Sequence, residues 1–69
     1  MKTAFQYRGY DVDCAPRETS EGKFVAQVVV TKIGFHPEKA FRALPEFGRA
    51  EEAVAFSKKF AESWLDRSA

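Results

Sequence analysis

Sixty-nine residues with 45% hydrophobic and 14% aromatic content exclude a disordered chain and give a single globular domain, residues 1–69. That size lies near the lower limit for a core that stands without disulfide, metal or partner. Eleven basic and ten acidic residues leave a net charge of +1 with no long block of either sign, which weighs against a dedicated binder of phosphate backbones.

Chain order begins with FQYRGYDVDCA, which alternates but changes parity. Phe5 and Tyr7 fall on one side, and Tyr10, Val12 and Cys14 on the other. Gly9 stands at the change, where a bulge or bend would flip the register. Residues 6–15 are taken as strand one, with Val12 and Cys14 inward and Asp11 and Asp13 outward. PRETSEG, Pro16 to Gly22, is polar and carries both Pro and Gly, so it reads as a hairpin loop.

Strand two spans residues 23–33 within GKFVAQVVVTKIGF. Phe24, Ala26, Val28 and Val30 share one face; Val25, Gln27, Val29, Thr31 and Ile33 share the other. GFHPE, Gly34 to Glu38, is a second turn. Strand three covers residues 38–44, with Phe41 inward, and PEFG, Pro45 to Gly48, leads out of it.

The last piece is an amphipathic helix over 49–66. Ala50, Ala53, Val54, Phe56, Phe60, Ala61, Trp64 and Leu65 share one broad side, and Glu51, Glu52, Lys58, Lys59, Glu62 and Asp66 the other. Gly48 serves as N-cap with Glu51 as half of a capping box, and both glutamates suit the positive end of the helix dipole. Ala53 and the small Ser57 let the helix approach a sheet closely.

The expected fold is α+β: a three-stranded antiparallel meander with one C-terminal helix on one face, in the order β-β-β-α. The helix covers one side of strand two. Val25, Val29 and Ile33 on the other side then lack a cover within the chain, apart from Phe5 or Tyr7 folding over them.

Catalytic constellations do not assemble. His36 is the lone histidine, in a tight turn beside Pro37 with no second catalytic group nearby. Cys14, the lone cysteine, excludes an internal disulfide and a cysteine-rich zinc site, and it shares an apolar strand face with Val12. Asp11 and Asp13 point the same way without a third ligand, so they read as solvated charges that discourage edge-to-edge aggregation. No enzyme activity, cofactor or metal is expected. MKTAFQYRGYD lacks the apolar run of a signal peptide, and no stretch is long enough to span a membrane; a cytoplasmic, reducing compartment is the expectation.

GKFVAQVVV followed by FGRAEEAVAFSKKFAESW resembles small βββα domains, with a match over about Gly22 to Trp64. One such group is the N-terminal arm-binding domain of phage-type tyrosine recombinases, similar to the plant AP2-like domain; another comprises stand-alone bacterial proteins of this size and uncharacterised function. The arm-binding resemblance implies a sheet whose outer face lies against DNA. Such a face calls for Arg, Lys, Asn or Gln, whereas this one offers Asp11, Asp13, valines and one isoleucine. Double-stranded-RNA-binding domains share the strand and helix order but place lysines where this chain has Glu51 and Glu52.

The sequence therefore leads to a small non-enzymatic protein-interaction module, a possible homodimer, that self-associates or binds a partner through the outer sheet face or a strand edge, with Val25, Gln27, Val29, Thr31, Ile33 and Phe35 as the partner-binding surface. The alternative is a nucleic-acid-binding protein using Arg8, Arg17, Lys23, Lys39 and Arg42 around the sheet.

Overall fold

The computed structural model describes residues 3–32, 34 and 38–68. Ala4–Tyr7 (β1) and Tyr10–Asp13 (β2) form an antiparallel hairpin in which Tyr7 pairs with Tyr10 and Phe5 with Val12. Arg8 and Gly9 make the two-residue turn, with φ of 52° and 81°. Positive φ at both central positions is the type I′ turn, whose twist suits paired strands. The parity change at Gly9 is thus a complete reversal of the chain, not a bend within strand one. Phe5 and Tyr7 come round to the face of Val12, where both are half-buried against the core.

After Cys14 the chain enters a second hairpin. Arg17–Glu18 (β3) pairs with Phe24–Val25 (β4). The expected loop over Pro16 to Gly22 is therefore shorter, with its tip at Ser20–Gly22. The amide of Thr19 donates to the carbonyl of Lys23 (2.8 Å), that of Gly22 to Thr19 (3.1 Å), and the Thr19 hydroxyl oxygen accepts from Lys23 N (3.1 Å). Gly22, at φ 79°, supplies the left-handed residue that a three-residue hairpin loop needs.

Strand two breaks in the middle. β4 stops at Val25, and Val28–Lys32 (β5) starts a separate strand that pairs with β2. Between them the amide of Ala26 donates to the carbonyl of Pro45 (3.0 Å), and the side chain of Gln27 donates to the carbonyl of Ala15 (3.1 Å). A continuous strand of eleven residues would run roughly 36 Å at 3.3 Å per residue, far beyond usual strand lengths. The break changes the parity, so Val25 and Ala26 are buried together with Val28 and Val30.

Strand three is shorter than expected, and a further short strand follows it. Lys39–Phe41 (β6) pairs with β5, and Glu46–Phe47 (β7), expected to be a turn, pairs with β4. The result is two antiparallel sheets, a four-stranded one ordered β1-β2-β5-β6 and a three-stranded one ordered β3-β4-β7. The fold is α+β with a C-terminal helix, as expected, but among the described residues seven strands in two sheets replace the three-stranded meander. Ile33, Phe35, His36 and Pro37, including most of the second expected turn, lie outside the described residues.

Ala50–Ser68 (α1) packs under both sheets, against β4 and β7 and against β5. Ala53, Val54, Ser57, Ala61 and Leu65 are its buried face, spaced by one, three and four residues as a single helical stripe. The smallest of these, Ala53, Ser57 and Ala61, have no exposure at all, which fits close helix–sheet approach. The first helical hydrogen bond runs from Ala53 N to Arg49 O (3.3 Å), so Arg49 rather than Gly48 holds the cap position. Glu51 does not complete a capping box with Gly48; its carboxylate takes the Arg49 guanidinium at 2.9 Å instead. Val12, Cys14, Val28, Val30, Ala61 and Leu65 form the main core.

Candidate interaction surface

Register fixes which side chains share the outer face of the four-stranded sheet. One row runs Ala4, Asp13, Val29, Ala40; the next runs Gln6, Asp11, Thr31. Ala4, Gln6, Asp11, Asp13 and Ala40 are exposed, and Val29 and Thr31 are half-buried. All of these but Ala40, together with Phe5, Val12 and Glu38, line a depression of about 440 Å³ that carries three carboxylates. Gln6 Nε2 donates to Asp11 Oδ1 (3.2 Å), and Asp13 Oδ1 accepts from the amide of Ala15 (3.0 Å). Asp11 and Asp13 point outward, as their alternation with Val12 requires.

Of the six residues expected to form this surface, Val29 and Thr31 lie on it. Val25 does not: it is 8% exposed in the other sheet, because the chain switches sheets at Ala26–Gln27. Gln27 sits in that link with its amide group on Ala15 O. Ile33 and Phe35 fall outside the described residues.

The five basic residues do not gather on this face. Arg8 sits in the β1–β2 turn, its Nε 2.6 Å from Asp66 Oδ1, and the Tyr7 hydroxyl donates to the same oxygen (2.9 Å). The Tyr7 and Arg8 hydrogen bonds hold the Asp66 carboxyl below its ordinary range, and Asp66 raises the Arg8 guanidinium. Lys23 is 3.8 Å from Glu46. Lys39 lies on the inner-face side with its Nζ 5.7 Å from the Phe41 ring centre. Arg17 and Arg42 are exposed on β3 and after β6.

Cys14 has no solvent exposure, and burial pushes its thiol up to about 11. A neutral, enclosed thiol is not a nucleophile at neutral pH. Among the described residues no group of three His, Cys, Asp or Glu side chains is placed to hold a metal ion. No described helix is long and apolar enough to cross a membrane.

Two features escaped the sequence reading. One is a run of half-buried rings along the helix flank: Phe47 on Phe56 (5.5 Å), Phe56 on Phe60 (6.4 Å), Phe60 on Phe41 (5.0 Å) and Phe41 on Trp64 (5.3 Å). Trp64, expected in the core, is half-buried at the end of this run. Helical spacing assigned Phe56, Phe60 and Trp64 to the helix's buried side, but nothing local brought Phe41 and Phe47 to them. The other feature is β1 as an edge strand. Its signal was present: Arg8-Gly9 between two alternating aromatic segments has the length and the glycine of a tight hairpin turn. Comparison with protein-family models, curated proteins and solved structures gives no match to this chain.

Proposed function

We propose that this chain is a small non-enzymatic protein-interaction module that works through the open side of its four-stranded sheet, by self-association or by binding a protein partner. The observation that carries the reading is one-sidedness. The helix closes the inner face over Val12, Val28 and Val30, while on the outer face Val29 and Thr31 line an open depression. A C2 homodimer is the simplest form, since a self-complementary patch needs no second gene product. A domain of this size has limited intrinsic stability, and burying a side chain such as Val29 contributes about 1.5–3 kcal/mol. A cytoplasmic, reducing setting fits the lone unpaired thiol of Cys14.

Sedimentation equilibrium of the purified chain across a wide concentration range tests this reading. Reversible dimerisation is the expected result, and Val29→Glu separates the sites: it weakens a dimer held through the outer face and leaves one joined at a strand edge intact, with the helix signal kept in both cases. A monomer at every concentration contradicts self-association.

Nucleic-acid binding is the second reading, favoured by the exposed Arg17 and Arg42 and by the arm-binding resemblance. It ranks lower because Arg8 and Lys23 face carboxylates and the outer sheet face carries Asp11, Asp13 and Glu38. It requires binding to labelled duplex DNA or RNA at low salt that weakens steeply as salt rises. No binding at low salt removes it.

A further inference from the structure

The two edges of the four-stranded sheet differ in how they are protected. β6 is three residues long, carries Lys39, and is flanked by Glu38 and Arg42. Short length and charge are the usual devices that keep a strand edge from recruiting another strand. β1 lacks the charge: Ala4–Tyr7 is four uncharged residues, and pairing with β2 extends to Thr3, whose carbonyl accepts from the amide of Cys14 (2.8 Å).

Hydrogen-bond parity identifies which backbone groups of β1 are unused. A two-residue turn closes on a hydrogen-bonded pair, here Tyr7 and Tyr10, and the Thr3–Cys14 bond lies four residues further along with the same parity. Phe5, between them, bonds to Val12. Ala4 and Gln6 therefore direct their N–H and C=O groups away from β2, toward the free edge. Both side chains are on the outer face and exposed, so neither obstructs a neighbouring strand. Phe5, on the inner face, is half-buried, with the Lys58 ammonium 6.0 Å from its ring centre.

We propose that β1 is a self-pairing edge: two copies of the chain join their β1 strands antiparallel about a twofold axis at Phe5, giving one continuous eight-stranded sheet. This rests on the interaction-module reading and assigns it a particular edge and occupant. Ala4 of each copy faces Gln6 of the other, and the two pairs exchange four backbone hydrogen bonds. Phe5 faces Phe5 of the second copy in a non-hydrogen-bonded pair, where cross-strand side chains are closest and aromatic pairs stabilise sheets most. A second copy suits this edge because the pairing is self-complementary in backbone and brings no charged side chain of β1 against another.

Amide hydrogen exchange of the wild-type chain, followed residue by residue at low and high concentration, reads the proposal without any substitution. Protection of the Ala4 and Gln6 amides that rises with concentration, together with a dimer by sedimentation, is the expected result. Ala4→Pro supplies the second arm, because proline is compatible with an edge strand whose N–H faces solvent. It should abolish dimerisation while leaving the helix signal intact. A dimer in which the Ala4 and Gln6 amides still exchange rapidly overturns the edge assignment and leaves the module reading standing, with the Val29 face as its site. A chain that stays monomeric at all concentrations overturns both the edge assignment and self-association.

Discussion

The two sheets share one helix but are built differently. The four-stranded sheet has paired strands of three to five residues and encloses Val12, Cys14, Val28, Val30, Ala61 and Leu65 against the C-terminal half of α1. The three-stranded sheet consists of two-residue strands, and among the described residues Val25, Ala26, Ala53 and Val54 are buried between it and the N-terminal half of the helix, with Phe47 and Phe56 at its side. The first is a cooperative core; the second is a satellite that extends the helix's cover. Most of the buried core therefore lies under one sheet, and that sheet's outer face and β1 edge are the surface proposed above for a partner.

The largest effect should come from the main core. Leu65 is fully enclosed, so Leu65→Ala should cost about 2–5 kcal/mol by urea unfolding, within the usual range for buried leucines. Val25→Ala in the satellite should cost less, about 1.5 kcal/mol for the lost methyl groups. Equal losses would break the distinction between the two sheets.

Alkali should weaken the main core next. The Cys14 thiol is raised from 9.0 to about 11 in the folded chain. Its contribution is therefore fully present below the unfolded value and lost as pH climbs through the folded one, so stability should decline between about pH 9 and pH 11. Cys14→Ala should flatten that decline. Modification of Cys14 by a thiol reagent at neutral pH should follow the global unfolding rate.

The two hairpin turns sharpen the contrast further. Gly9 and Gly22 have nearly equal φ, 81° and 79°, and open space where a Cβ would stand, so alanine meets the same left-handed penalty of about 1–2 kcal/mol at either site. Gly9→Ala should lower global stability by that amount. Gly22→Ala should instead show up mainly as faster amide exchange in β3 and β4, because a satellite opens locally below the global free energy.

A smaller change, of opposite sign, is expected at Ser57. Its hydroxyl is fully buried and has no hydrogen-bond partner among the described residues. Ser57→Ala removes an unsatisfied polar group and favours helix, so it should raise stability by up to about 1 kcal/mol. The smallest effect belongs to Asp66, which ties Arg8 and Tyr7 to the helix end at the surface. Its carboxyl is held low in the folded chain, so its contribution is present above the unfolded carboxylate range and lost as pH falls through the folded value. Wild type and Asp66→Asn should differ slightly at neutral pH and converge in acid.

The same contrast explains what could be read from the sequence. The helix was legible within two residues at either end because its apolar stripe repeats from Ala50 to Leu65. Val12, Cys14, Val28 and Val30 were legible as inward residues because they alternate within strands of four and five residues. The satellite was not, since two-residue strands have no period to detect. Val25 and Glu46–Phe47 owe their pairing to each other, across more than twenty positions. A run such as FVAQVVV, apolar on both faces apart from Gln27, fits either orientation, so periodicity could not locate the break at Ala26–Gln27. Of the candidate surface, Val29, Thr31, Asp11 and Asp13 followed from alternation, whereas the β1 edge required reading Arg8-Gly9 as a full reversal.

The central claim is that contact with a partner runs through the open side of the four-stranded sheet, and a concentration series of amide chemical shifts on the wild-type chain tests it most directly. From micromolar to millimolar protein, shifts should grow at Ala4, Gln6, Asp11, Asp13, Val29 and Thr31, while Val25, Phe47 and Val54 stay fixed. Shifts centred instead on the satellite sheet and the N-terminal half of the helix, or none at any concentration, would contradict self-association through that side.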